Sequence, residues 1–481
     1  MAVQGACTNR ARSRIIDREL EFLIFVYISF AANFNYGFST TYLNTPVQQF
    51  KIYINESLAR RDTVMNDSTY NLIWNILLNI WFVGFFVGIG LSPVLNDRYG
   101  RKVGFLAGNF LAFLASVLRC AAIYWYIPEL LITARLITSV CVAVTYQSCI
   151  LYLQECSPTE LRGFMSFWSE ISFAIMTLIA SLLGTDGVLG GHLFWLLAFA
   201  VPFCFIFFIT LFFILETPKF LLITAKNEEA AENSVHFYLG SHVDAKEVLR
   251  NIQMEEDAEE SDISTIQALK DLFFEPHLRR AHLLSCATLQ NTVPLWSILL
   301  SSTYFLEQAN LQSSIAQWSS TAMTLAYVLG TLSGSTVIEK WGRRPLLLIF
   351  TLLNILAVAT FVLFSQLQPV LDQMKYGCLG ALVVYGFTYG TAVGPISWFI
   401  SSELVPQKYR SITQSTSYAI NTIMVVVSTF TILPLYSVLG SFAFLPLYTV
   451  PSAFALFYLY RFLPETKGRE IYEIVRELRG D

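Results

Sequence analysis

Charged residues in this chain occur in two copies of one pattern, and their types and spacing suit ion pairing. The first copy reads Asp97-Arg98-Tyr99-Gly100-Arg101-Lys102, then Glu155-x-x-Pro158-x-x-x-Arg162, then Glu216-Thr217-Pro218-Lys219. The second copy reads Glu339-Lys340-Trp341-Gly342-Arg343-Arg344, then Glu403-x-x-Pro406-x-x-x-Arg410, then Pro464-Glu465-Thr466-Lys467-Gly468. The three segments repeat at offsets of 242, 248 and 249 residues. One structural unit is therefore present twice.

The chemistry of this pattern is conformational rather than catalytic. A carboxylate such as Glu155 or Glu403 can accept a pair of bonds from the guanidinium of Arg101 or Arg343. Such pairs can hold one arrangement of two helical bundles and break in another. The alternative is that the basic residues only fix the orientation of the helices in a membrane. No nucleophile–base pair, metal-ligand cluster or phosphate loop is visible in the sequence. We therefore predict no enzyme activity, no metal and no cofactor.

A further carboxylate, Glu170, lies inside an apolar run. It follows Arg162 by eight residues, which is roughly 12 Å along a helix. An ionisable group at such a depth in a membrane is a candidate functional residue. Arg135 would lie nearly 20 Å away, so a direct pair is not expected. Glu170 is either a structural residue, in a protonated or hydrogen-bonded form, or it faces a cavity and binds a cationic or polyhydroxy solute.

Membrane-spanning helices must position these residues. Of the 481 residues, 54% are hydrophobic and 14% are charged, and the mean hydropathy is +0.53; soluble domains have about 25% charged residues. Stretches of about 20 apolar residues cross a bilayer as helices. Twelve are predicted, at 21–43, 72–95, 103–124, 128–154, 163–184, 193–215, 282–305, 315–338, 345–366, 376–401, 411–435 and 440–462. The predicted fold class is an all-α membrane protein with twelve transmembrane helices in two six-helix repeats.

The distribution of basic residues predicts the orientation and the division of the chain. Lysine and arginine follow spans 2, 4, 8 and 10, which places those loops and both termini in the cytoplasm. The only two N-glycosylation sequons, at Asn55 and Asn66, lie in the loop predicted to be outside. The predicted segments are a cytoplasmic N-terminus (1–20), a first bundle (21–216) with a glycosylated outer loop (44–71), a cytoplasmic helical insert (217–280), a second bundle (281–462) and a cytoplasmic C-terminus (463–481). The net charge of −4 gives no indication of a nucleic-acid partner.

Taken together, these motifs resemble the sugar porter family of the major facilitator superfamily, and within it the facilitative glucose transporters. The resemblance runs from Tyr36-Gly37-Phe38 and Asn44-Thr45-Pro46 to Pro464-Glu465-Thr466-Lys467-Gly468. It implies the major facilitator fold and alternating access around a site near the membrane midplane. The residues expected to form a cytoplasmic gate are Asp97, Arg98, Arg101, Glu155, Arg162, Glu216, Glu339, Arg343, Arg344, Glu403, Arg410 and Glu465.

The resemblance also implies a solute site in which amides, an aromatic platform and a carboxylate bind a hexose. Gln290, Trp398 and Asn421 match that pattern, and Trp398 follows a segment, Gly394-Pro395, similar to the family's Gly-Pro-x-Pro-Trp. Other positions differ: Glu170 and Asn291 replace glutamines, Trp296 and Tyr327 replace asparagines, Gly390 replaces a glutamate, and Leu300-Ser301 replaces a tyrosine pair. The predicted substrate-binding residues are Gln290, Asn291, Trp398, Asn421, Glu170, Trp296 and Tyr327.

The function that the resemblance implies is facilitative transport of a hexose or related polyol across the plasma membrane. Proton-driven members of the family carry an aspartate in span 1, where this chain has Ser39. The expected partners are a small-molecule solute and the lipid bilayer. Two alternatives remain: a carrier of the same fold for a non-sugar solute such as an organic ion or urate, and a sensor that transports nothing.

Overall fold

The structure is a computed structural model that describes residues 2–63, 65–156, 162–240, 243–259, 265–469 and 471–479. Within these ranges, it does not describe the side chains of residues 2–21, 93, 94, 97, 154, 162–166, 255–259, 265, 266, 339, 402, 407, 408, 411, 471 and 472. All regular structure in the described ranges is helical.

Each of the twelve predicted spans is helical, six in each half of the chain. Spans 1 to 6 are Ala2–Thr41; Asp67–Tyr99; Arg101–Trp125; Pro128–Cys156; Arg162–Leu183; and Leu193–Ala198 with Ala200–Thr210 and Leu211–Phe213. Spans 7 to 12 are Pro276–Gln290 with Val293–Gln308; Ser313–Trp341; Arg343–Leu367; Lys375–Thr388 with Tyr389–Val393 and Gly394–Glu403; Gln407–Leu439; and Gly440–Ala443 with Leu445–Thr449 and Val450–Phe462. Among the described residues, ten of these helical segments are long and apolar enough to cross a bilayer. The apolar part of span 5, Phe167–Leu183, is shorter.

Spans 7 and 10 are discontinuous near the middle of the bundle. Span 7 breaks between Gln290 and Val293, where Pro294 cannot donate a backbone hydrogen bond, and bends again at Ser301 (φ −145°, ψ 15°). Span 10 widens into a π-helical turn over Tyr389–Val393 directly before Pro395. Such breaks free backbone groups, which is tolerated in a membrane only inside protein or beside a cavity. Both breaks therefore mark the region where a site can be built.

The segments that connect the spans also contain helices. The predicted outer loop 44–71 contains a helix, Val47–Ala59, whose Tyr53 hydroxyl donates to the Ala122 carbonyl (2.9 Å). Asn55 is exposed on this helix, and Asn66 caps the helix of span 2 by accepting from the Thr69 amide (2.7 Å). The remaining helical elements are Asp186–Gly190, Phe220–Thr224, Glu228–Leu239, Ala245–Glu259, Thr265–Phe274, Asp372–Met374 and Ile471–Arg479. We call the membrane face with Asn55 and Asn66 the sequon end, and the face with Arg101 and Arg343 the basic end.

Candidate functional site

A small cavity lies between the two halves. Its lining comes from spans 1, 4 and 5 of the first half and from spans 7 and 10 of the second half. The lining residues are Tyr36, Tyr146, Glu170, Phe173, Leu295, Trp296, Tyr389 and Trp398. The space among these side chains is about 290 Å³ when its opening to solvent is included, and in this conformation it leaves room for little more than a water molecule. The lining combines six aromatic rings with one carboxylate.

The carboxylate of Glu170 is held by a residue of the opposite half. The hydroxyl of Tyr327, in span 8, donates a hydrogen bond to Glu170 Oε1, and Tyr327 itself is fully buried. Gly394, at the break of span 10, leaves room for this carboxylate, because a Cβ there would lie 3.1 Å from Glu170 Oε1. Glu170 thus lines the cavity and is hydrogen-bonded at the same time. The Arg135 guanidinium bonds to the Ser39 carbonyl.

The two predicted tryptophans both line the cavity. The ring of Trp296 stacks on Tyr36 at 5.9 Å between centroids and meets Phe173 at 6.2 Å. Trp398 packs edge-to-face on Tyr418 at 5.0 Å, and the Tyr418 hydroxyl donates to the Trp398 carbonyl. These contacts fix both indoles, since buried aromatic pairs favour such offset and edge-to-face geometries. Both indoles therefore form part of the cavity wall and are held there by neighbouring aromatic rings.

The predicted amides do not line this cavity. Asn421, in span 11, donates to the Leu289 carbonyl (2.8 Å) and to Thr292 Oγ1 (3.4 Å), so it bonds to the break in span 7. Asn291 donates to the Ala287 carbonyl (3.2 Å), while its own side-chain oxygen is buried without a partner. Gln290 is the last helical residue before the break. In this conformation, the side chains of Asn291 and Asn421 therefore bond to backbone groups of span 7.

The substitutions at Tyr327 and Gly390 fit one another. A Cβ at Gly390 would overlap the Tyr327 carbonyl oxygen and come within 2.9 Å of its ring. The glutamate that the family pattern has at this position would not fit beside this tyrosine. In this chain the carboxylate reaches the cavity from span 5, through Glu170, and the span 8 tyrosine holds it.

Five cavity residues were not among the predicted site residues. They are Tyr36, Tyr146, Phe173, Leu295 and Tyr389. Tyr36 lies in the motif Tyr36-Gly37-Phe38 that supports the family resemblance, and this motif could have indicated its place in the site. The other four are apolar or aromatic residues within apolar runs, where composition does not distinguish a cavity wall from ordinary packing or from a lipid-facing position.

Four of the predicted gate residues form two ion pairs at the basic end, and each of these two pairs joins residues of one half. Arg101 binds Glu155 (2.8 Å), with both side chains about nine-tenths buried. Arg343 lies 3.8 Å from Glu403, with the two side chains 16% and 30% exposed. Thr217 and Thr466 each donate a hydroxyl bond to the carboxylate of their half, Glu155 or Glu403 (both 2.5 Å). The side chains of Asp97, Arg162 and Glu339 lie outside the described part of the structure.

A second pair of carboxylates caps the helices that follow the glycines of the repeat. Glu216 accepts the backbone amide of Lys102 (2.9 Å), and Glu465 accepts that of Arg344 (3.1 Å). These amides belong to the first turns of spans 3 and 9, where a negative charge is favoured. The preceding residues, Gly100 (φ +106°) and Gly342 (φ +89°), have no Cβ, and a Cβ at either would collide with the capping carboxylate. The sequence repeat is thus also a repeat of one hydrogen-bonded cluster.

At the sequon end, polar side chains join the two halves directly. Asn44 donates to Ser302 Oγ (2.7 Å) and accepts the Thr303 amide (3.1 Å), just past the bend of span 7 at Ser301. Further bonds between the halves link Ser181 with Thr321 (3.1 Å), Asp186 with Gln317 (3.0 Å) and Gln48 with Glu307 (3.0 Å). In this conformation, the halves are hydrogen-bonded to each other between the cavity and the sequon end.

The comparisons with known proteins agree with this architecture. The family described as "Sugar (and other) transporter" matches residues 23–478. Mouse facilitated glucose transporter member 7 of solute carrier family 2 is 25% identical over 456 residues, which are 93% of this chain and 87% of that protein. Rat member 5 of the same family is 26% identical over 457 residues, covering 93% and 89% of the two chains.

Solved structures show the same fold. The proton:xylose symporter XylE of the major facilitator superfamily, bound to 6-bromo-6-deoxy-D-glucose, superposes with a TM-score of 0.74 at 16% identity, covering 96% of this chain and all of that one. The inward-open form of XylE from E. coli gives 0.73, with 95% and 99% covered. The predicted twelve-helix architecture is thereby confirmed, as is the expectation of a transporter rather than an enzyme. The chain belongs to the sugar (and other) transporter family.

Proposed function

We propose that this protein is a facilitative carrier of a hexose or related polyol. The observation that carries the proposal is the cavity that both halves line, with aromatic rings and the Glu170 carboxylate in its wall. Aromatic faces pack against the C–H surface of a sugar ring, and a carboxylate accepts hydrogen bonds from its hydroxyls. Relatives of similar length are named facilitated glucose transporters, which supports the same class of solute.

The transport cycle follows from how the halves touch. The bonds from Asn44 to span 7 and from Glu170 to Tyr327 cross between the halves, so they must break for the cavity to open toward the sequon end. The pairs Arg101–Glu155 and Arg343–Glu403 stay within their halves. They make each half rigid at the basic end, so that the halves can rock as bodies around the solute. We assign the twelve motif residues to this gate.

The solute site in this proposal consists of Glu170, Trp296, Tyr327 and Trp398, together with the five further cavity residues. Gln290, Asn291 and Asn421 lie at or bond to the break of span 7, and they would meet the solute only when that break rearranges. The proposed transport is not coupled to protons, because Ser39 provides no carboxylate in span 1.

The proposed orientation has the basic end in the cytoplasm and the sequon end outside the cell, at the plasma membrane. The basic residues of the repeated motifs gather at one end, and both sequons lie at the other. Asn55 and Asn66 are exposed there and are the proposed glycosylation sites. Both termini are then cytoplasmic.

Uptake of radiolabelled D-glucose into proteoliposomes tests this proposal. The matched control is L-glucose, which has the same polarity and size but cannot satisfy a chiral site. Saturable uptake of the D-enantiomer, reduced by other unlabelled hexoses, is expected. Equal uptake of both enantiomers, or none by protein shown to be folded, would overturn the assignment of the solute.

A further inference from the structure

Two arginines lie inside the first half, away from the cavity. Arg119 in span 3 and Arg135 in span 4 are 0% and 1% exposed. Both bond to one residue of span 1: Arg119 Nη1 donates to Ser39 Oγ (2.8 Å), and Arg135 Nη1 donates to the Ser39 carbonyl (2.6 Å). Arg119 Nη2 also donates to Ser116 Oγ (2.7 Å). None of the hydrogen bonds or ion pairs of these two guanidiniums in the described structure goes to a carboxylate.

Several donors at this place are buried and unused. Arg119 Nε, Arg135 Nε and Arg135 Nη2 have no hydrogen-bond partner. The ring of Tyr42 lies against both guanidiniums, at 5.5 Å from Arg119 and 5.6 Å from Arg135. The buried Tyr42 hydroxyl lies beside the Arg135 guanidinium, but the two form no hydrogen bond of normal geometry. Three guanidinium N–H positions around Tyr42 therefore lack a hydrogen-bond partner of normal geometry.

The buried positive charges of Arg119 and Arg135 need a negative partner. Removing a cation from water is costly unless it is paired, and two cations around one serine also repel each other. Losing a proton does not resolve this, since a guanidinium stays protonated in proteins. The aromatic faces of Tyr42 and Trp81 attract the charges, but they supply no acceptor for the free N–H groups. A water molecule would accept a hydrogen bond without balancing the charge.

We infer that Arg119, Arg135 and Tyr42 form a binding site for a small inorganic monovalent anion of the chloride class. The anion accepts the free N–H groups and balances the two positive charges. All its ligands come from spans 1, 3 and 4, so it stabilises the first half and does not depend on which solute the cavity carries. A large organic anion does not fit this buried place.

Thermal unfolding of the purified protein in detergent tests this site. The probe is sodium chloride, compared with sodium gluconate at equal ionic strength, with bromide as a second small anion. A ligand that binds the folded state raises Tm with a saturable dependence on its concentration, so chloride and bromide are expected to raise Tm and gluconate is not. Equal unfolding curves in chloride and gluconate would overturn the inference.

Substitution of Ser39 tests whether the rise of Tm in chloride comes from this site. Ser39→Asp places a carboxylate beside both guanidiniums, so this variant is expected to be as stable in gluconate as the wild type is in chloride, and to show no chloride response. Arg61→Gln is the control, because Arg61 is exposed and pairs with Glu129 at the sequon end; its chloride response should match the wild type. A chloride response in Ser39→Asp equal to that of the wild type would place the anion elsewhere and refute the site. The readout is stability, so failure of this test leaves the proposed transport untouched.

Discussion

Tyr327 of span 8 donates a hydrogen bond to Glu170 of span 5, and this bond joins the two six-helix halves beside the cavity. Spans 5 and 8 belong to different repeats, so the bond reports on how the halves are arranged. It also holds the only carboxylate of the cavity lining in one place. This hydrogen bond therefore involves a residue of the proposed solute site, and it is also a contact that a movement of the two halves would break.

Removal of the Tyr327 hydroxyl is expected to impair transport more than neutralisation of Glu170. Tyr327→Phe leaves a buried carboxylate without its donor, at a cost of about 1–3 kcal/mol, and the initial rate of uptake should fall about tenfold. Glu170→Gln keeps an acceptor for the Tyr327 hydroxyl, so most of the uptake should remain. Uptake rates per reconstituted protein check this order, and the reverse order would contradict it.

A comparison of the wild type with Glu170→Gln tests whether Glu170 titrates during transport. If Glu170 acts only as a hydrogen-bond acceptor, as we propose, the wild type and Glu170→Gln should show the same dependence of uptake on pH. A pH dependence in the wild type that vanishes in Glu170→Gln would show that this carboxylate gains and loses a proton in the cycle.

Trp296 is expected to limit the size of the solute. Its indole stacks on Tyr36 and meets Phe82 edge-on at 5.8 Å, so Trp296→Ala enlarges the cavity. Hexoses with bulky substituents should then compete for uptake, while the affinity for the plain hexose falls because an aromatic wall is lost. Trp318, half-exposed on the surface of span 8, provides the control variant Trp318→Ala. Unchanged selectivity in Trp296→Ala would remove this residue from the solute site.

The two ion pairs of the basic end should differ in strength. Arg101 and Glu155 are 2.8 Å apart and almost buried, whereas Arg343 and Glu403 are 3.8 Å apart and more exposed. A double-mutant cycle on the first pair, with glutamine replacements, should give a coupling energy of about 1–3 kcal/mol. The second pair should give about 0–1 kcal/mol, as for exposed pairs. Equal couplings from thermal unfolding would mean that distance and burial do not determine the strength of these pairs.

Glu216 at the basic end should make stability depend on pH. Burial raises the pKa of this carboxyl above its usual value, and the backbone hydrogen bonds of Thr217 and Lys102 offset part of that rise. The folded protein therefore binds this proton more tightly than the unfolded chain does. The resulting stability is complete below the usual glutamate pKa and is lost as pH rises through the higher folded pKa. The Tm difference between the wild type and Glu216→Gln should thus favour the wild type more at acidic pH, and parallel profiles would contradict this.

The spans and their repeat were predictable from the sequence because both depend on simple quantities. Hydropathy over about 20 residues identifies a membrane helix, and the glycine and glutamate motifs recur at nearly constant offsets. The helix Val47–Ala59 was not predicted, since it lies within the segment 44–71 that is expected to be an outer loop. Its apolar face packs on the first half, and such a short amphipathic segment gives only a weak signal beside two long spans.

The solute site was only partly predictable. Positions that align with a family site show which residues stand near it, and Glu170, Trp296 and Trp398 do line the cavity. Alignment does not show what a side chain bonds to. Asn421 bonds to the carbonyl of Leu289 at the break in span 7, where the Thr292 amide also donates to that carbonyl, and this follows from the local backbone rather than from residue type.

Counterflow in proteoliposomes tests the central claim, that one cavity is exposed to each side in turn without proton coupling. Vesicles are loaded with unlabelled D-glucose and diluted into a trace of labelled D-glucose, with and without a pH gradient. We predict a transient accumulation of label that is the same under both conditions and is lost in Trp398→Ala. Accumulation that requires the pH gradient, or the absence of any overshoot with folded wild-type protein, would contradict the claim.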